Sequence, residues 1–241
     1  MRALLFVLIL LLSTGVDAAD TVEPFDPGAT DLEFYALVSG VDRHRSAQTV
    51  AGDMVLGWGL VPGFSAYLAT TMQADGTFTG SETDLAVGVF GTIRDGRRLD
   101  IDLALAFQAP SHGDGPLTLS PGLEINLDGD GRGLYARGNL SLAGRHADDG
   151  PRRTTDLEAT LGGYLDLGQR YQLLLELGAV RADGEESWTT GAAALGLNTV
   201  LSPSLELIAQ VSRDIHEPRG PASLGAMLGF IATLPGDQPR P

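Results

Sequence analysis

The sequence predicts an all-β fold: a single antiparallel up-and-down transmembrane β-barrel of about twelve strands. Three features predict it: apolar and polar residues alternate, short and long connections alternate, and the N-terminus resembles an export signal. From Leu99 to Phe107, every odd-numbered residue is large and apolar, whereas the even-numbered ones are Asp or Ala. A helix would mix these two sets around its surface, so the alternation indicates strands with one lipid-facing side.

The same alternation recurs along the chain and predicts strands near residues 31–42, 52–61, 64–73, 82–93, 98–108, 117–127, 133–144, 154–167, 170–181, 188–201, 204–213 and 221–232. Short turns rich in Asp, Gly and Pro, such as 128–131, join them at one end. Longer polar connections join them at the other end. This asymmetry is typical of outer-membrane barrels, whose short turns are periplasmic. An even number of strands then places both termini in the periplasm.

The N-terminus is typical of a secretory signal peptide over residues 1–19, because Met1 and Arg2 precede an apolar run that ends in small residues. That run is too short for a membrane helix, which needs roughly 18 apolar residues. We expect a periplasmic segment at 20–30, the barrel at 31–232 and a periplasmic tail at 233–241. The predicted location is the outer membrane of a Gram-negative bacterium, after signal-peptide cleavage.

The composition restricts the partners. Asp and Glu number 31 against 16 basic residues, for a formal charge of −15. This balance argues against nucleic acid and favours cations. The chain has no cysteine, which excludes disulfides, thiolate metal sites and lipid attachment through cysteine. No cofactor is predicted.

The inward side of the predicted strands carries an excess of acids. The candidates for lumen and selectivity residues are Glu33, Asp100, Asp102, Glu124, Arg137, Glu158, Asp166, Glu176 and Glu206. Carboxylates that line a pore select cations, although lumen positions also have to be polar simply because they face water. The sequence therefore predicts a narrow passive pore or transporter-like channel with an acidic, cation-leaning lumen that passes small cationic or neutral solutes. The alternative is an occluded barrel with a structural or binding role.

Aromatic residues are placed regularly at the predicted periplasmic strand ends. Five of them share the outward phase: Phe34, Trp58, Phe64, Tyr171 and Phe230. Aromatic side chains at this level of a barrel lie among the lipid headgroups. We expect these residues to form an interfacial girdle against the outer-membrane lipid.

The last predicted strand resembles the C-terminal assembly signal of bacterial outer-membrane β-barrel proteins. The polar, glycine, hydrophobic and aromatic positions of that signal match Ser223, Gly225, Leu228 and Phe230. The resemblance implies recognition by the barrel-assembly machinery during biogenesis. Residues 231–241 follow the aromatic position, whereas the usual signal ends the chain. The stretch from Leu119 to Asn126 resembles transporter-like barrels encoded beside pathways for aromatic degradation, which implies transport.

Other functions remain as alternatives. Four histidines fall in predicted outer loops near acids, where they could bind a divalent metal, but without a ligand spacing: His44, His112, His146 and His216. Residues 126–131 match the start of a calcium-binding loop, but Arg137 stands where its bidentate glutamate is needed. A lipid-modifying outer-membrane enzyme needs a nucleophile beside a base, and no histidine lies on a predicted strand. A soluble β-sandwich or ligand-binding barrel would bury the Leu-rich faces instead.

Overall fold

The computed structural model of the chain describes residues 27–39, 49–75, 81–96, 98–110, 117–143, 155–183, 187–216 and 222–234. Within these ranges the chain forms twelve β-strands, which close into one barrel. Each strand pairs antiparallel with its neighbours in sequence, and the first strand closes the barrel against the last. Closure leaves no strand edge unpaired. The predicted antiparallel up-and-down barrel of twelve strands is confirmed.

The strands are β1 (Thr30–Ser39), β2 (Thr49–Val61), β3 (Phe64–Asp75), β4 (Ser81–Arg94), β5 (Leu99–Pro110), β6 (Thr118–Gly129), β7 (Arg132–Ala143), β8 (Thr155–Asp166), β9 (Tyr171–Asp183), β10 (Trp188–Ser202), β11 (Leu205–His216) and β12 (Leu224–Leu234). Every predicted strand is present. The largest boundary differences are three residues, as at the start of β2, predicted at 52 and observed at 49. The alternation therefore located each strand, and its predicted ends lie within three residues of the observed ones.

Tight turns join the strands at one end of the barrel, which we call the turn end. In the turn between β6 and β7, Gly131 has a φ of 68°, a conformation that favours glycine. Most residues of the connections at the opposite end lie outside the described residues. The predicted signal peptide at 1–19 also lies outside the described residues. Of the predicted tail at 233–241, residues 233 and 234 belong to β12 and the rest lies outside the described residues. Of the predicted segment 20–30, only residues 27–30 are described.

The outer and inner sides of each strand differ in character. Leu105 on the outer wall is 45% exposed, whereas Asp102 on the inner side of the same strand is 5% exposed. Exposed leucines, valines and aromatic residues continue around the barrel on all twelve strands. Among the described residues, no helix is long and apolar enough to cross a membrane.

Part of the interior is apolar and tightly packed, which differs from the acid-rich, water-filled interior that the sequence predicts. A buried apolar cluster fills the sector of β1, β2, β9, β11 and β12, and its members are Tyr35, Leu37, Ala51, Leu174, Ile208, Met227 and Ile231. Tyr35 and Ile208 are each only 1% exposed. These side chains pack against one another, because a closed barrel brings the inner sides of neighbouring strands together. We call this group the apolar cluster.

Candidate functional site in the barrel interior

Three buried charged residues form a row of cross-strand partners on β5, β6 and β7. Asp102 pairs with Glu124, which pairs in turn with Arg137. All three side chains are buried. Arg137 Nε donates to Glu124 Oε2 at 2.6 Å. The Arg137 guanidinium carbon lies 5.9 Å from the centre of the Tyr135 ring, within cation–π range. The row therefore holds one compensated pair of charges beside a second carboxylate.

That second carboxylate, Asp102, is held by neutral donors. Thr92 Oγ1 donates to its Oδ1 at 2.5 Å, and Asn126 Nδ2 donates to its Oδ2 at 3.2 Å. Both donors orient the carboxylate without cancelling its charge. Asn126 Oδ1 is buried and has no hydrogen-bond partner among the described residues.

A second network links strands that are not neighbours. Tyr135 Oη on β7 donates to Glu176 Oε1 on β9 at 2.5 Å, and Gln210 Nε2 on β11 donates to Glu176 Oε2 at 3.0 Å. Tyr135 reaches past β8 because its cross-strand partner there is Gly162, which has no side chain to block the ring. The network therefore ties together one sector of the interior.

The pairing of a ring with a glycine recurs in the interior. The tyrosine rings lie against the glycines that are their cross-strand partners: Tyr35 on Gly229, Tyr67 on Gly88, Tyr135 on Gly162 and Tyr164 on Gly133. A ring that covers a glycine shields backbone and packs along the wall of the barrel. These tyrosines therefore fill the interior near the strands.

Three of the predicted lumen acids, Glu33, Asp100 and Glu206, are half-buried in the half of the barrel nearer the turn end. Glu33 accepts a hydrogen bond from Tyr35 Oη at 2.8 Å, Asp100 accepts one from the Gly96 amide at 2.8 Å, and Glu206 accepts one from Asn198 Nδ2 at 2.9 Å. The remaining two differ. Glu158 is buried on β8, whereas Asp166 is exposed at the end of β8 and accepts a bond from Gln172 Nε2 at 3.0 Å.

The five aromatic residues of the predicted girdle are all exposed on the outer wall. Phe64 and Tyr171 begin their strands at the turn end, and Trp58 lies near the end of β2. Phe34 and Phe230 are cross-strand partners whose ring centroids are 5.6 Å apart in a stacked arrangement. The pair adds a local aromatic contact where β12 closes on β1.

The residues of the predicted assembly signal form β12 and the segment before it. Ser223 donates through its amide (2.9 Å) and Oγ (2.6 Å) to Asp214 Oδ2. Gly225 faces inward beside Ser212, and Leu228 and Phe230 are exposed on the outer wall. The alternation required of that signal is therefore present in the folded strand.

Metal sites have little support in this part of the molecule. Of the four histidines, only His216 is described, exposed at the end of β11; His44, His112 and His146 lie outside the described residues. The described residues contain no group of three or more His, Cys, Asp or Glu placed to hold a metal ion. Residues 126–131 form a strand and a tight turn, whereas a calcium-binding EF-hand loop joins two helices.

No protein-family model matches the sequence, and a search of curated proteins found no relative. Solved structures do share its fold. An outer-membrane channel from Pseudomonas putida F1 superposes with a TM-score of 0.69 at 13% identity, over 89% of this chain and 99% of that one. The NanC porin superposes with a TM-score of 0.68 at 10% identity, over 84% and 100%. The translocator domain of the autotransporter NalP from Neisseria meningitidis reaches 0.57 at 10% identity, over 96% and 95%. At these identities the likeness shows the barrel fold.

Proposed function

We propose that this chain is an outer-membrane β-barrel that acts as a narrow passive pore or transporter-like channel with an acidic, cation-leaning lumen. The observation that supports this most directly is that the outer wall is apolar and the interior is charged, the opposite of a soluble barrel. Large apolar side chains are exposed around the whole outer wall, while carboxylates and their hydrogen-bond networks are buried inside. Such an outer wall is stable in lipid, since a closed barrel satisfies its backbone internally.

Location and assembly follow from the same proposal. The exposed aromatic residues at the turn end would lie at the periplasmic interface, with both termini on that side. Signal-peptide cleavage would release the mature chain, and the assembly machinery would recognise Ser223, Gly225, Leu228 and Phe230 on β12. Solved channels and porins with this fold support a role in transport, while the autotransporter domain shows that the fold also serves other roles.

The charge of the interior supports preference for cations. Among inward positions of the described strands, Arg137 is the only arginine, and its charge is compensated by Glu124. Asp102 and Glu206 accept hydrogen bonds from the neutral donors Thr92 and Asn198. A lumen with net negative charge attracts cations and repels anions. Its narrowness follows from the apolar cluster and the tyrosines, which occupy much of the interior.

Single-channel recording in a planar bilayer, under a potassium chloride gradient, tests the proposal. We expect discrete steps, a reversal potential of cation-selective sign, and a conductance that falls as carboxylates are protonated between about pH 7 and pH 4. Asp102→Asn should reduce the cation preference. The matched control Asp183→Asn should not, since Asp183 is exposed at the end of β9. Anion selectivity in the unmodified protein would refute the charge assignment.

An occluded barrel with a structural or binding role is a second candidate, and the burial of the apolar cluster favours it. The same recording separates the two. Electrical silence from protein that shows heat-modifiable migration on detergent gels, and is therefore folded, would favour the occluded barrel.

A further inference from the structure

The interior is not filled evenly. Near the middle of β7, β8, β9, β11, β12 and β1, the inward residues are large or polar and buried: Arg137, Thr160, Glu176, Gln210, Met227 and Tyr35. On β3, β4, β5 and β6, by contrast, five inward residues are small and partly exposed: Ala69, Ala86, Ala104, Ala106 and Ser120. One sector is therefore packed, and the other leaves room for water.

The strand register places these small residues side by side. Ala69 pairs with Ala86 across β3 and β4, and Ala106 pairs with Ser120 across β5 and β6. Tyr67 also lies in this sector, but its ring packs against Gly88 along the wall. We call the space lined by Ala69, Ala86, Ala104, Ala106 and Ser120 the crevice.

Buried residues close the crevice on the side of the turn end. On β5, the next inward residue from Ala104 toward the turn end is Asp102. On β4, the cross-strand partner of Ala104 is Phe90, which is buried. The rings of Phe90 and Tyr67 are 6.2 Å apart. Next to them lie Glu124 and Asn126, also buried. This floor combines the Asp102 carboxylate, which is oriented by neutral donors, with the aromatic ring of Phe90.

Unsatisfied polar atoms mark the inner side of β6 at both ends of the crevice. Asn126 and Thr118 are each 2% exposed, and Asn126 Oδ1 and Thr118 Oγ1 have no hydrogen-bond partner among the described residues. Buried polar atoms are normally paired, so an unpaired acceptor indicates a position where a ligand or water donates. Both acceptors belong to the strand that lines the crevice.

We infer that the passage for solutes is off-centre and follows the crevice on β3–β6. Its narrowest point is the floor formed by Phe90, Asp102, Glu124 and Asn126. It accepts small cations such as potassium or ammonium. The inference rests on the proposed pore function. Asp102 supplies the attraction for the cation, while Asn126 Oδ1 is an acceptor that replaces part of its hydration. The packed apolar cluster excludes the opposite sector.

Cysteine accessibility tests the position of the passage, and the absence of native cysteine makes each introduced thiol the only one. The variants are Ala86→Cys and Ala104→Cys in the crevice and Ala51→Cys in the apolar cluster, which is the same substitution at a buried inward position. Each is refolded into lipid vesicles and treated with trimethylammonium-ethyl methanethiosulfonate or its anionic sulfonate counterpart. Labelling is read by mass, and the single-channel current is recorded before and after.

We expect the crevice thiols to label and the Ala51→Cys thiol to remain protected until the barrel is unfolded. The cationic reagent should react about tenfold faster than the anionic one, since an acidic cleft concentrates cations. Labelling of Ala104→Cys should also reduce the current. Equal labelling of all three thiols, protection of both crevice thiols, or labelling without a fall in current would overturn the inference. If the unmodified protein does not conduct while Ala104→Cys labels selectively, the pore proposal fails, and the crevice is a water-accessible pocket that does not cross the barrel.

Discussion

The outer wall and the interior of this barrel are built from alternate residues of the same strands, yet they obey different rules. On the wall, Leu103 and Leu105 are both exposed. Inside, neighbouring Asp102 has two named donors and a cross-strand carboxylate. The wall therefore requires only apolar character, whereas the interior requires particular partners. We therefore expect the outer wall to tolerate changes in side-chain shape as long as the residue stays apolar. We expect the interior to tolerate a change of charge only where the side chain is not packed.

Removal of a buried charge should have the largest effect. Arg137→Met leaves Glu124 buried without its cation, and breaking such a pair costs about 3–5 kcal/mol in unfolding free energy. The double variant Glu124→Gln/Arg137→Met should recover most of that loss, because residue 124 then carries no charge that needs Arg137. Urea unfolding in detergent or lipid, followed by fluorescence of the native tryptophans, measures both.

An exposed ion pair provides the control for that experiment. Arg181 Nε lies 3.4 Å from Asp183 Oδ1, and the two side chains are 60% and 50% exposed. Arg181→Met should change the unfolding free energy by about 1 kcal/mol or less, since water screens an exposed pair. Equal losses at Arg137 and Arg181 would show that burial does not distinguish the two pairs.

A charge on the outer wall should have the next largest effect. Leu105→Arg places a guanidinium near the middle of the lipid-facing surface, where the cost is about 2–4 kcal/mol in a bilayer. Leu105→Met is the control, since a change of apolar shape there should be tolerated. Folding into vesicles, followed by urea titration, measures the effect. Equal stability of the two variants would contradict the assignment of this wall to lipid.

Adding a methyl group to an inward glycine that a tyrosine ring covers should have a smaller effect on stability. In Gly162→Ala the new methyl group would overlap the Tyr135 ring, so the ring must move away from Glu176. Overpacking of this kind costs about 1–3 kcal/mol. Gly178→Ala is the matched control on the next strand, because its methyl group would meet Thr160 Oγ1 at an ordinary 3.7 Å. Unfolding midpoints that fall equally for both would show that the ring is not the cause.

These contrasts also show how far the sequence predicts the site. Strand positions and facing were predictable, since alternation is a local property. The pairing of Glu124 with Arg137 follows once the turn at residues 129–132 is recognised, because a hairpin determines its own register. The contact of Tyr135 with Glu176 was not predictable: it crosses an intervening strand and depends on Gly162 lacking a side chain.

The apolar cluster was missed for a different reason. In β9 the residues from 173 to 177 read Leu-Leu-Leu-Glu-Leu, so only Glu176 reveals which side faces inward. Leu174 has the inward phase but the composition of the outer wall, and sequence alone does not separate a lumen leucine from a lipid-facing one. Inward Ile208 and Met227 pose the same ambiguity. Side-chain type predicts the outer wall well because lipid imposes one rule on it, and it predicts the packed sector of the interior poorly.

The smallest effect should come from the aromatic pair on the outer wall, where shape normally matters least. Phe34 and Phe230 stack at 5.6 Å with an interplanar angle of 26°. A double-mutant cycle with Phe34→Leu and Phe230→Leu should give a coupling free energy of about 0.5–1.5 kcal/mol, beyond the loss of each ring alone. Leu32 and Leu228 are exposed on the same two strands, and leucine-to-alanine changes there should be nearly additive. Coupling confined to the phenylalanines would mean that the wall also carries specific contacts where β12 closes on β1. Full additivity at both pairs would mean that lipid-facing residues contribute through apolar character alone.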